Sequence, residues 1–500
     1  MLTRRNLLRL GVVAGGAALI PAAASIRSLG VRAEETGHVL GHGATAGHAM
    51  GHGSGTAVAA RLNAPAVAPF SVPLPLPATL APTSVLPDAD VYALTTQQAT
   101  AALLPGLPAP VLTYGGTFVG PTIRAKVGRK VIITHTNALT EETAVHLHGA
   151  HVAAAHDGFP TDVIPPGQSR TYEYPNQQLS ATLWYHDHAH HREAEHVYRG
   201  LHGFYLLEDP AERRLRLPRG GYDIPIMLTD ARFAEDGSLV FVPDDSGNRT
   251  TLLANGRPAP YLEVARRKYR LRLLNASNMR VYQLELGQNQ QMVQIAGDGG
   301  LLPAPVPTTG IPLTPGERAE IVVDFSSYPQ GTQLVLNDTL SGLPVLRFDV
   351  GQTAPDHSAV PSVLRPETTL PAATNVRDVE FAYDFALGWF TINGKLFDPN
   401  RVDATIQHGT TEIWRITNST VPIGVPHNLH VHLVQFRVLD RDGVAVGPAE
   451  RGLKDTVSVA PGETVRVQAT FTGHLGKYVF HCHALDHSSM GMMAVFEVVP

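Results

Sequence analysis

The chain has a single cysteine, Cys482, in its 500 residues, so no intrachain disulfide can form. In an oxidising compartment an exposed lone thiol would be a liability, which makes its function the first question. Beyond the first residues there is no apolar run of the roughly 20 residues a membrane helix needs, so no bilayer span is expected in the mature part. Excess charge of either sign is also missing: 39 Lys+Arg stand against 44 Asp+Glu, which gives no reason to expect a nucleic-acid partner. Methionine is scarce at 8 residues, with none between positions 351 and 400. Histidine is the excess, with 24 residues.

The opening "MLTRRNLLRLGVVAGGAALIPAAAS" has a charged start, an apolar stretch and a small-residue site near Ala22-Ala23-Ala24. It reads as an export signal, and Arg4-Arg5 suggests the twin-arginine route, placing residues 1–33 in a cleaved leader and its surroundings. Export to the periplasm, cell envelope or exterior follows as the expectation. "TGHVLGHGATAGHAMGHGSG" (36–55) is too glycine-rich to pack, so residues 34–64 read as a His-bearing tether, with weak metal capture as its second reading.

From there the chain repeats itself. "PTIRAKVGRKVIITHTNAL" (121–139), "YLEVARRKYRLRLLNAS" (261–277) and "ATIQHGTTEIWRITNST" (404–420) each end a strand pair at an asparagine: Asn137, Asn275 and Asn418. A Pro-Gly turn and a further strand follow each: "PPGQSRTYEY", "TPGERAEIVVDF" and "APGETVRVQATF". Tyr269, Leu271 and Leu273 alternate with Arg270 and Arg272, the period-two pattern of a strand with one buried face. The expected fold is all-β, with three β-sandwich domains at 65–212, 218–355 and 370–500.

The histidines fall on this repeat unevenly. The first domain carries "HLHG" (146–149) and "WYHDH" (184–188), the third "PHNLHVH" (426–432) and "HCHALDH" (481–487), and the second has none at matching places. On a strand, neighbours point to opposite faces, so Cys482 faces one way and His481 and His483 the other, and one strand serves two metal sites. On the Cys482 side, His427 and His487 complete a His₂Cys set with Met492 as axial candidate, the pattern of a blue-copper electron-transfer centre. On the other side the pairs 146/148, 186/188, 430/432 and 481/483 put eight imidazoles at a seam between the first and third domains. A structural zinc site closes with four ligands and does not use eight.

These motifs, in this order over residues 65–500, resemble the multicopper oxidases. "WYHDHAHH", "HLVQFRVLDRDG", "LKDTV" and "HCHALDH" are most similar to the bacterial laccase and bilirubin-oxidase branch. The resemblance implies cupredoxin-like Greek-key domains and four coppers per chain. His427, Cys482 and His487 would hold the type 1 copper with Met492 axial, His146 and His430 the type 2 copper, and His148, His186, His188, His432, His481 and His483 the type 3 pair. Electrons from a small reductant would enter at the Cys482 copper and cross to His481 and His483, and the cluster would reduce dioxygen to water. Asp157, in "HDGFP", matches an acidic residue of the family. The position after His487, a glutamate in many relatives, is Ser488, with Asp486 on the other side. Proton delivery is therefore expected through Asp157 with Ser488 and water, and Asp486 is the further candidate.

The expected donor is a phenol or aromatic amine, since the metal oxidases of the family often carry a methionine-rich segment and this chain has no methionine between positions 351 and 400. A metallo-oxidase acting on cuprous or another metal ion is the alternative, and a copper-free scaffold of the same fold is a third. A monomer is expected. His151, His156, His190, His191, His196 and His202 are expected at the surface or supporting the ligands, and His135, His357, His408 and His474 in structural positions.

Overall fold

The computed structural model describes residues 65–500 except Thr368 and Pro422. The leader and tether expected at 1–64 lie outside the described residues. Each of the three sequence repeats builds two facing sheets. In the first, a five-stranded sheet of Ser84–Val85, Ala89–Leu104, Leu107–Tyr114, Lys130–Asn137 and Ser169–Tyr174 faces a four-stranded one of Gly120–Lys126, His202–Glu208, Ala181–Asp187 and Val145–His148. The second and third each pair a seven-stranded with a five-stranded sheet. Separate apolar cores fill the three sandwiches, around Tyr172 and Tyr205, Leu271 and Phe348, and Trp414 and Phe496.

The repeated asparagine has a repeated task. Asn137 Nδ2 donates to the carbonyls of Glu141 and Ile164, Asn275 Nδ2 to those of Arg280 and Leu313, and Asn418 Nδ2 to those of Val425 and Val459. In each case the side-chain oxygen accepts the backbone N–H two residues on. The glycine of each Pro-Gly turn closes on the same residue: Gly167, Gly316 and Gly462 donate to the carbonyls of Asn137, Asn275 and Asn418, each at 2.8 Å. One buried amide thus satisfies the backbone of the loop that leaves the strand, which is costly to leave unpaired.

The start of the first domain needs a correction. Pro73 bridges Tyr261, and Phe70 and Leu74 donate backbone hydrogen bonds to Ala259 and Tyr261, both at 2.7 Å. Leu74 packs in the second core. Residues 70–74, placed by the repeat boundaries in the first sandwich, therefore add to the second, through the backbone N–H groups of Phe70 and Leu74.

Candidate metal centre

Strand register places the ligand-type side chains. In the third sandwich His427–Val431 pairs with Gly476–Cys482 so that Leu429 stands opposite Cys482 and His430 opposite His481. Opposed residues share a face, so His430 and His481 point one way and Cys482 the other with His427. In the first sandwich Val145–His148 pairs with Ala181–Asp187, setting His146 opposite His186 and His148 opposite Trp184. The faces carrying these imidazoles meet.

All eight seam histidines are buried and brought together. Their inner nitrogens face one another: His188 Nε2 and His481 Nε2 lie 3.2 Å apart, His432 Nε2 and His481 Nε2 3.4 Å, His146 Nε2 and His430 Nε2 3.5 Å, and His148 Nδ1 and His483 Nε2 3.1 Å. The outer nitrogens explain the tautomers. His146, His186, His430 and His481 set Nδ1 within 2.7–3.0 Å of the carbonyls of Asp157, Asp187, Asp455 and Cys482. A carbonyl only accepts, so Nδ1 carries the proton and the lone pair on Nε2 faces inward. Burial, reinforced by the neighbouring imidazoles, keeps His146, His148, His430, His432 and His483 well below the usual imidazole range, and holds His186 at about 3 and His481 at about 4. Inward lone pairs of neutral imidazoles repel one another in a dry interior, and cations between them remove that repulsion. The donor set therefore fits transition-metal ions.

A second set lies behind the same strand. Cys482 Sγ is 3.4 Å from His427 Nδ1 and 3.8 Å from His487 Nδ1, all three buried. Burial pushes the thiol up to about 12, so it ionises at neutral pH only against a cation. Met492 packs in the core that contains Cys482, whereas Met493 packs with Val479 and Val495 and Met490 is exposed. Of the three methionines, Met492 is the one placed to approach the sulfur.

Carboxylates brace the cluster, two of them unforeseen. Asp157 lies with Oδ2 2.7 Å from His432 Nδ1, as its carbonyl holds His146, and burial pushes its carboxyl up to about 7. Glu193, on the first turn of helix α1 (Glu193–Arg199), is fully buried with Oε2 2.8 Å from His188 Nδ1. Asp455, in "LKDTV", sets Oδ1 2.9 Å from His148 Nε2, which turns that ring so that Nδ1 faces inward. Its carboxylate pairs with Arg318 of the second sandwich, which also reaches the carbonyl of Thr182 in the first at 2.9 Å. Gly149, at φ 83°, makes room: a Cβ there would stand 2.5 Å from Asp455 Oδ2 and 2.8 Å from Arg318 Nη2. The second sandwich, which carries no histidines at the matching places, thus holds the ligand support from behind.

Two expected proton carriers are placed differently. The Ser488 hydroxyl donates to Glu193, not to Asp157. Asp486 accepts from Arg249 Nη2 at 2.7 Å, Asn278 Nδ2 at 2.8 Å and the Asp244 backbone at 2.9 Å. Helix α2 (Leu485–Ser489) turns adjacent residues about 100° apart, so His487 faces Cys482 while Asp486 is neutralised against the second sandwich. Of the spare histidines, His196 and His202 are buried supports; His196 lies 3.0 Å from Oδ1 of Asp187, between the two histidines of "HDH".

A cavity of about 530 Å³ opens beside the cysteine site, lined by Tyr383, Trp389, Phe390, His427, His487 and Met279 among others. Among the described residues its single lining carboxylate is Asp244.

Sequence models of the multicopper oxidase family match residues 95–212 and 365–500. The chain is 35% identical to a laccase of Bacillus subtilis, covering 85% of this chain and 97% of that protein. It is 36% identical to the bilirubin oxidase of Albifimbria verrucaria over 86% of this chain and 81% of the relative. Its fold superposes on the crystal structure of a laccase from Pediococcus acidilactici with a TM-score of 0.82 at 32% identity, covering 88% and 96% of the two chains.

Proposed function

Because the chain belongs to the multicopper oxidase family and is a copper oxidoreductase that works with dioxygen, we propose that it is laccase-like, taking single electrons from phenols or aromatic amines. Four coppers per chain, when bound, would supply the electron transfer and the reduction of dioxygen to water. In this reading His427, Cys482 and His487 would hold one, with the thioether of Met492 beside them. His146 and His430 would hold another, and His148, His186, His188, His432, His481 and His483 would hold the remaining pair. Cys482 bonds through the backbone to both His481 and His483, giving a covalent route between the two sets. Asp157 and Glu193 fix the rings of His432 and His188, and burial favours the neutral form of the other seam imidazoles, whereas the Glu193 carboxylate beside His188 raises that ring above the usual range.

The observation that carries the donor class is the cavity at His427 and His487. Its size suits a small aromatic molecule, and Tyr383, Trp389 and Phe390 offer faces for stacking. A cuprous donor would call for soft ligands, and Met279 is the sole thioether in the lining. Oxygen uptake by copper-loaded protein tests this. A methoxylated phenol is expected to drive faster uptake than a cuprous salt under the same conditions; preference for the cuprous salt would move the function to metal oxidation.

A further inference from the structure

Outside the constellation already described, two histidines meet where the first and third sandwiches touch at the surface. His151 and His474 have ring centroids 5.0 Å apart, the same separation as His427 and His487 and as His188 and His481. His151 Nδ1 lies 3.0 Å from the carbonyl of Leu433. The carbonyl can only accept, so the proton is on Nδ1 and the lone pair of Nε2 is free, the arrangement that prepares an imidazole to bind a metal.

The space beside that nitrogen is kept open. Residue 473 is glycine, and a Cβ there would stand 2.3 Å from His151 Nε2. The next residue is His474, whose ring has no hydrogen-bond partner among the described residues. His156 lies near enough to bear on the charge of His474, but its Nδ1 accepts from the backbone N–H of Glu173 at 3.3 Å, so its Nε2 carries the proton and offers no lone pair in that tautomer. All three side chains are half-buried, and none belongs to the ligand sets assigned above. Burial and the two neighbouring imidazoles lower the affinity of His474 for a proton, leaving it neutral at physiological pH. Two partly exposed imidazoles side by side, one with Nε2 turned away from its hydrogen-bonded Nδ1 and the other without a ring partner among the described residues, suit divalent copper or zinc, with water completing the coordination.

We propose that His151 and His474 form a separate surface site for a divalent copper or zinc ion, with His156 at its edge. Such an ion would tie residues 151–156 of the first sandwich to 473–478 of the third. The two segments already pack together there: the Tyr478 hydroxyl donates to the carbonyl of Val152 at 3.0 Å. Bound metal would therefore resist separation of the domains that share the imidazole seam.

The test uses the copper-loaded full chain, with zinc as the probe. Equilibrium dialysis against zinc is expected to show about one more zinc bound per chain in the unaltered protein than in a His151→Gln/His474→Gln double variant, by the site count above. Zinc binding to the His-rich segment at 36–55 is common to both proteins and cancels. In calorimetry, zinc is expected to raise Tm by about 2 °C in the unaltered protein and not in the double variant. His474→Gln alone, the milder change, should reproduce both effects if the double variant folds poorly. Equal zinc uptake by unaltered and variant proteins, or an unchanged Tm response, would overturn the proposal.

Discussion

Replacing Arg318 with methionine is expected to cost about 3–5 kcal/mol of stability and to lower copper retention, although Arg318 binds no copper. Its guanidinium is fully buried and bonds outward to all three sandwiches: the Thr182 carbonyl at 2.9 Å, the Gly316 carbonyl at 2.9 Å and Asp455 Oδ1 at 2.6 Å. Methionine fills much of the volume but leaves the Asp455 carboxylate buried without its counter-charge. The magnitude follows from breaking one side of a buried pair, which is far more costly than replacing both partners. Copper should follow because Asp455 orients two imidazoles, His148 through its carboxylate and His430 through its carbonyl. Denaturant unfolding with metal analysis of the same preparations measures both effects. Unaltered stability and copper content would show that the second sandwich does not support the cluster.

The metal-free protein is expected to lose stability steeply as the pH falls below about 6.5, and the copper-loaded protein to resist. His186 is held at about 3, and His481 and His487 at about 4, chiefly by burial. The sign follows from the proton count. Above the ordinary histidine range neither the folded nor the unfolded chain binds protons at these rings. Between that range and the depressed folded values only the unfolded chain does, so acid favours unfolding throughout that window. Each such ring contributes about 1.4 kcal/mol per pH unit, and several together reach several kcal/mol per unit. Asp157, raised to about 7, works in the opposite direction, since its folded form keeps a proton that the unfolded form loses. His188 and His196, raised by the carboxylates beside them, work in the same direction as Asp157, but these three are outnumbered by the imidazoles that burial depresses. Thermal unfolding of chelated protein at pH 7.5 and 5.5 should therefore show a large loss of Tm, and a flat profile would mean that the imidazoles can protonate in place.

The ligand-type residues were legible in the sequence because strand alternation and the three-fold repeat are strong local signals. "HCH" alone assigns two faces, and the repeated asparagine aligns the strands that carry the other pairs. The supporting carboxylates were not legible in the same way. Glu193 follows "HDHAHH" on a short helix, where nothing in "REAEH" separates an inward acid from a solvated one. Asp455 gains its meaning from Arg318, which is 137 residues away in the chain. Ser488 was readable as a departure, but not that a carboxylate from another domain reaches it. Asp486 misled because its distance from His487 is one residue in sequence and the helix turns it to Arg249. The start of the first sandwich was misplaced for a related reason: residues 70–74 carry no side-chain pattern, and their backbone pairing with Tyr261 decides where they belong.

The most direct test of the account is metal analysis and oxygen uptake of a Cys482→Ser protein beside the unaltered one. Division of one strand between two sites predicts loss of about one copper in four, retention of about three at the eight-imidazole seam, and a fall in phenol-driven oxygen uptake of at least about a thousandfold. Retention of all four coppers with undiminished uptake would contradict the assignment of Cys482 as the entry point for electrons.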